Sequence, residues 1–91
     1  MLNVEYSEAQ SKMNRNPMEG FETRDLWIAS FLKTRGANLK NVRRKDGKVY
    51  FLFSDSNKCQ SLVDDYFKGA KVSANHLKNN VNFFRDIIFS G

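Results

Sequence analysis

His76 and Cys59 are the only imidazole and the only thiol in the chain. A metal ligand or general base at His76 needs partners in fixed geometry, and no second histidine or cysteine lies near it in sequence. It reads as a cap or surface-packing residue near the start of the last predicted helix. Cys59 falls on the apolar stripe of its own predicted helix, where a free thiol behaves as a small hydrophobe. A hydrolase built on Cys59 and His76 would instead require an exposed, electropositive thiol with a base beside it. Asp64 and Asp65 resemble a carboxylate pair, yet adjacent helix positions point about 100° apart, which is the geometry of a solvated face. Neither G-x-x-x-x-G-K nor G-x-G-x-x-G occurs anywhere in the sequence, so no glycine-rich phosphate cradle is available. The expectation is a non-enzymatic protein with no catalytic residue, no metal site and no cofactor.

The cations carry more information. Between Lys33 and Lys48 stand seven lysines and arginines against the single carboxylate of Asp46, a local excess of six in a chain whose formal net charge is +5. The remainder of the chain therefore sums to about −1. Arg35, Lys40, Arg43, Arg44, Lys45 and Lys48 are the candidate nucleic-acid-binding residues, because a basic lobe is what phosphate-backbone contact requires. Such contact would be electrostatic and would discriminate little between bases. Two other readings share the segment. Charged hairpin tips keep proteins soluble and discourage edge pairing. A protein-binding accessory factor would use Trp27 and Tyr50 as aromatic anchors with arginines nearby.

These residues must be positioned by a small set of elements. In FETRDLWIASFLKTRG, Thr23 reads as the N-cap of a helix, Asp25 as a first-turn carboxylate and Gly36 as the left-handed stop. Leu26, Ile28, Ala29, Phe31 and Leu32 form its buried side. Trp27 is placed at the core edge. Asp46-Gly47 signals a two-residue type I′ hairpin turn, which pairs Lys45 with Lys48, Arg44 with Val49, Arg43 with Tyr50, Val42 with Phe51 and Asn41 with Leu52. Val42, Val49, Phe51 and Phe53 then share one face, and Leu39, Tyr50 and Leu52 share the other with Arg43. VYFLF is expected to be the central strand, buried on both faces.

After the hairpin, a cap at residues 54–56 and a stop at Gly69 bound a helix whose stripe is Cys59, Leu62, Val63, Tyr66 and Phe67. Residues 71–73 offer a third short strand. Ser73 or Asn75 opens the last helix, with Leu77, Val81, Phe84 and Ile88 buried and Phe83 and Ile87 widening the stripe. The fold class is α+β: helix, strand, strand, helix, short strand, helix, with the helices packed on one face of an antiparallel hairpin sheet.

A chain of 91 residues has room for one domain, assigned to residues 21–91. Residues 1–20 contain the only proline and lack sustained periodicity, so they read as a disordered leader, with an alternation at Leu2, Val4 and Tyr6 that offers a short added strand. A lone cysteine, no apolar run approaching the roughly 20 residues of a membrane span, and no signal-peptide pattern point to the cytoplasm. The unpaired edges of so small a sheet leave monomer and weak homodimer both open.

GKVYFLF overlaps the RNA-recognition-motif signature at Tyr50 and Phe53, but Lys48 and Val49 occupy its first aromatic and small-residue positions and the order of elements differs. From Phe21 onward the chain more closely resembles a family of small bacterial and phage proteins known only as a domain of unknown function. The similarity rests on Thr23, Asp25, Leu26, Ala29, Leu32, Gly36 and Leu39, then on GKVYFLF, Tyr66, Phe67 and the segment around Val72. It implies a shared fold and an accessory role near DNA, RNA or a host protein. It implies no activity and no functional residues.

Overall fold

The computed structural model describes residues 20–90. Strand β1 (Phe21–Thr23) leads into helix α1 (Leu26–Thr34), strands β2 (Leu39–Lys45) and β3 (Lys48–Phe53), and helices α2 (Ser56–Phe67) and α3 (Ala74–Phe89). The three strands form one antiparallel sheet in the order β1-β3-β2. This is the expected α+β architecture. Its third strand, however, lies at the front of the described residues. Residues 71–73 carry no strand, because β1 occupies the side of β3 that the hairpin leaves open. The expected leader falls outside the described residues apart from Gly20.

Turn chemistry sets the hairpin. Asp46 and Gly47 both take positive φ, 53° and 77°, as a type I′ turn requires. All five expected pairs between Asn41 opposite Leu52 and Lys45 opposite Lys48 are formed. Below them the register breaks between Leu39 and Asn41, and Leu39 pairs with Phe53. One extra residue, Lys40, reverses the side-chain parity. Leu39 consequently packs against the core instead of sharing the outer face with Tyr50 and Leu52.

Helix ends follow local side-chain chemistry, with one exchange of roles. Asp25, not Thr23, is the N-cap of α1: its Oδ1 accepts from the backbone N–H groups of Trp27 and Ile28 at 2.8 and 2.9 Å. Thr23 is spent in β1, where its Oγ1 accepts from the Asp25 N–H at 3.1 Å. Asp55 caps α2 by accepting from the Lys58 N–H, and Ser73 caps α3 by accepting from the His76 N–H. Both expected glycine stops are Schellman turns. The Gly36 N–H donates to the Lys33 carbonyl and the Ala37 N–H to that of Leu32, while Gly69 and Ala70 donate in the same way to Tyr66 and Asp65.

The helices cover one face of the sheet. Phe51, Phe53, Phe84, Leu32, Ala29, Ala37 and Cys59 form the core, with the Phe84 ring meeting Phe51 edge-on at 4.7 Å and Phe53 at 6.2 Å. A polar chain also joins α1 to α3: Asn80 Nδ2 donates to Thr34 Oγ1 at 2.9 Å, and that hydroxyl donates to the Ser30 carbonyl. β3 is central as expected, but only Phe51 and Phe53 on its helix-facing side are fully buried; Val49, Tyr50 and Leu52 are half-buried. Trp27 is not a core-edge residue, since 51% of it is exposed in the first turn of α1. Phe67, at the end of α2, also leaves the stripe and is exposed, resting only its edge on Tyr66 at 5.1 Å.

Candidate nucleic-acid interface

Strand alternation divides the cations of the hairpin between two faces. Arg43 and Lys45 stand with their partners Tyr50 and Lys48 on the face away from the helices, whereas Arg44 stands with Val49 on the helix side. The six candidates therefore do not form one lobe. Arg35 is farthest removed. It follows α1 at the Phe53 end of the sheet, and β2 alone spans about 20 Å from that end to the hairpin tip at roughly 3.3 Å per residue.

Two of the six arginines and lysines hold the fold together. Arg35 donates from NH2 to the Lys71 carbonyl at 3.0 Å and approaches Asp65 at 3.9 Å, with its guanidinium 5.1 Å from the Phe31 ring. It ties the end of α1 to the connection between α2 and α3. Arg44 donates to the Ile87 carbonyl, answering one of the carbonyls that the last turn of α3 leaves without an intrahelical partner.

Arg43 is the organising residue of the outer face. Its guanidinium reaches across β3 and donates through Nε and NH2 to the two carboxylate oxygens of Glu22 on β1, at 3.2 and 3.0 Å. On the way it lies 4.4 Å from the centre of the Tyr50 ring. The Glu22 hydrogen bonds, and then the Glu22 charge, push the guanidinium pKa above its ordinary value. Arg24 adds a second guanidinium 5.8 Å from the same ring. The sequence reading missed Arg24 because it took the preceding residues as the start of a helix. Only the pairing of Thr23 with Phe51 brings residue 24 alongside the hairpin.

Lys40, Lys45 and Lys48 are exposed, and among the described residues none of the three meets a carboxylate. Lys45 and Lys48 face each other directly across the turn, an arrangement of like charges that is unfavourable until an anion arrives. Of the aromatic anchors, Trp27 is open to solvent and Tyr50 is half-covered, and no ring contact joins them. The outer face near the hairpin tip can thus neutralise anions and offer one aromatic ring already engaged by guanidinium groups.

The two residues considered for catalysis stand in unlike settings. Cys59 is fully buried, its thiol donating to the Ser54 carbonyl at 3.4 Å. Burial pushes the thiol pKa up, and the Asp55 charge pushes it further, the opposite of what a nucleophile needs. His76 is exposed. Among the described residues no group of three histidine, cysteine, aspartate or glutamate side chains is placed to hold a metal, and no helix is long and apolar enough to cross a membrane.

No curated protein matches the chain, and no solved structure does. A family model described as a domain of unknown function (DUF5659) matches residues 18–87. That span takes in all three capped helix starts, the hairpin and nearly all of α3, and the chain accordingly belongs to the DUF5659 family.

Proposed function

We propose that this protein is a non-enzymatic binding module of the cytoplasm that holds nucleic-acid phosphates at the hairpin end of its sheet. The observation that carries this reading is the opposed pair Lys45 and Lys48, lacking carboxylate partners among the described residues, beside a Tyr50 ring flanked by Arg43 and Arg24. Arg24, Lys45 and Lys48 supply the phosphate contacts. Arg43 fixes the ring between the strands, and Lys40 extends the positive field along β2. Arg35 and Arg44 serve the fold.

Fluorescence anisotropy with labelled single-stranded DNA, duplex DNA and RNA tests this. Engagement of about three phosphates weakens duplex binding roughly 40-fold between about 50 and 200 mM salt. Replacing Lys45 and Lys48 together by glutamate abolishes binding, whereas Arg35→Gln leaves affinity unchanged. Absence of binding by the wild type at the lower salt overturns the reading and makes the cations a solubility device.

A second reading, a protein-binding accessory factor, is favoured by the half-exposed Trp27, since tryptophan is enriched among binding hot spots. It predicts a partner whose affinity is lost in Trp27→Ala and changes little with salt.

A further inference from the structure

Strand β1 is three residues long and covers only half of β3: Phe21, Glu22 and Thr23 pair with Phe53, Leu52 and Phe51, and the pairing stops there. Beyond it the chain turns away at Arg24 to enter α1, leaving a notch against the upper part of β3. The notch is lined by Arg24, Arg44, Gly47, Lys48, Val49 and Ile88 and has a volume of about 470 Å³. Three of its six lining residues are cations and none is an acid. That volume lies within the range of small-ligand sites, about 300–1,000 Å³.

The backbone adds a donor. Lys45 and Lys48 flank a two-residue turn and so exchange both ladder hydrogen bonds. Alternation along an antiparallel pair then sends the N–H and C=O of Val49 to the opposite side, into the notch. No described residue pairs with them there. Two carbonyls are unfavourable neighbours, that of Val49 itself and that of Ile87 at the end of α3, and Arg44 answers the second by donating to it. Among the described residues the Arg24 side chain makes no hydrogen bond or ion pair, only its contact with the Tyr50 ring, and Lys48 has no acidic partner.

We infer that this notch is a phosphate seat, in which one phosphate group is held by Arg24, Lys48 and the Val49 N–H. The assignment rests on the phosphate-binding function proposed above and locates one of its contacts. The chemistry is that of a tetrahedral oxyanion. Its source is either a phosphodiester of a nucleic acid strand or a free phosphate. The apolar side chains of Val49 and Ile88 limit solvation on the inner wall, which strengthens charge-assisted hydrogen bonds to the bound oxygens.

The test is amide NMR of the full chain, titrated at matched ionic strength with sodium phosphate, with a single-stranded DNA decamer, and with chloride as control. The expected result is a saturable shift of the Val49 and Gly47 amides with phosphate and with the decamer, absent with chloride. In Arg24→Gln, the decamer binds about ten-fold more weakly, as loss of one charge-assisted contact implies. If the decamer binds while the Val49 amide stays unmoved, the seat is overturned and the nucleic-acid reading survives. Should phosphate move Val49 while no nucleic acid binds, the seat stands as a site for free phosphate and the nucleic-acid reading fails. Unmoved Val49 in both titrations overturns the seat.

Discussion

A methyl group added to Gly20 would stand 2.5 Å from the Phe53 carbonyl oxygen and 3.1 Å from the Leu52 side chain. The backbone there has φ of 125°, a conformation that L-residues rarely adopt, so both the torsion and the space call for glycine. Gly47 shares the first requirement at φ 77° but has open space around it. The two glycines therefore separate strain from crowding. Gly47→Ala should cost about 1–2 kcal/mol, the penalty of a left-handed L-residue. Gly20→Ala should cost more, because the close atom is main chain of the central strand and cannot swing aside. Urea unfolding of the two variants beside the wild type checks this, and equal destabilisation would mean that the entry to β1 moves to admit the methyl. The same residue scale explains why some readings of the sequence were sound and others not. Asp46-Gly47, Gly36 and Gly69 act through their own torsions, and such local chemistry is legible from a few neighbouring residues. Thr23 and Asp25 are both good caps, and their choice of role depends on whether Thr23 is needed in a strand.

At the scale of elements, the legible parts are those whose pattern is internal to one segment. The amphipathic stripes of α2 and α3 and the register of the hairpin are of this kind. β1 is not, because three residues are too few to show alternation and the strand exists through its pairing with β3. The bulge at Lys40 is hidden for a similar reason: an inserted lysine carries no glycine or proline signal, although it turns Leu39 to the other face. The candidate site suffered most from this. Adjacent arginines in sequence, Arg43 and Arg44, serve opposite faces, and charge counting alone cannot separate them. Arg44 and Arg35 are tertiary clips to the ends of other elements. Arg44→Gln should lower stability by about 1 kcal/mol, the ordinary worth of one hydrogen bond at a partly exposed site, and should speed amide exchange in the last turn of α3. Arg35→Gln should cost a similar amount but loosen the connection between α2 and α3 instead. Exchange rates measured residue by residue distinguish the two. A uniform change over the whole domain in both variants would show that the clips act on global unfolding alone.

At the scale of the whole molecule, charge and topology meet at the outer edge of β2. β3 is enclosed by both neighbours along its lower half, and among the described residues β2 has no partner on its far side. An exposed edge invites a second copy to continue the sheet. Here the edge has seven residues, four of them Lys40, Arg43, Arg44 and Lys45, and it is bent by the irregularity beside Leu39. Two such edges brought together antiparallel would oppose eight cations with no carboxylate between them on either strand. Each like-charged cross-strand pair is unfavourable by up to about 1 kcal/mol, and burying backbone at so short an edge does not offset several such pairs. Sedimentation should therefore give a 10.6 kDa monomer at about 50 mM salt, where the Debye length exceeds about 10 Å and repulsion is least screened. Self-association, if induced at all, should appear only on raising salt toward 1 M, and should be promoted by replacing Lys40 and Lys45 with threonine. A dimer already present at low salt would mean that another surface, such as the one around Trp27, joins the copies. The charges that oppose pairing along β2 include those that the proposed phosphate binding would use at the hairpin end, so the two demands on this strand are compatible.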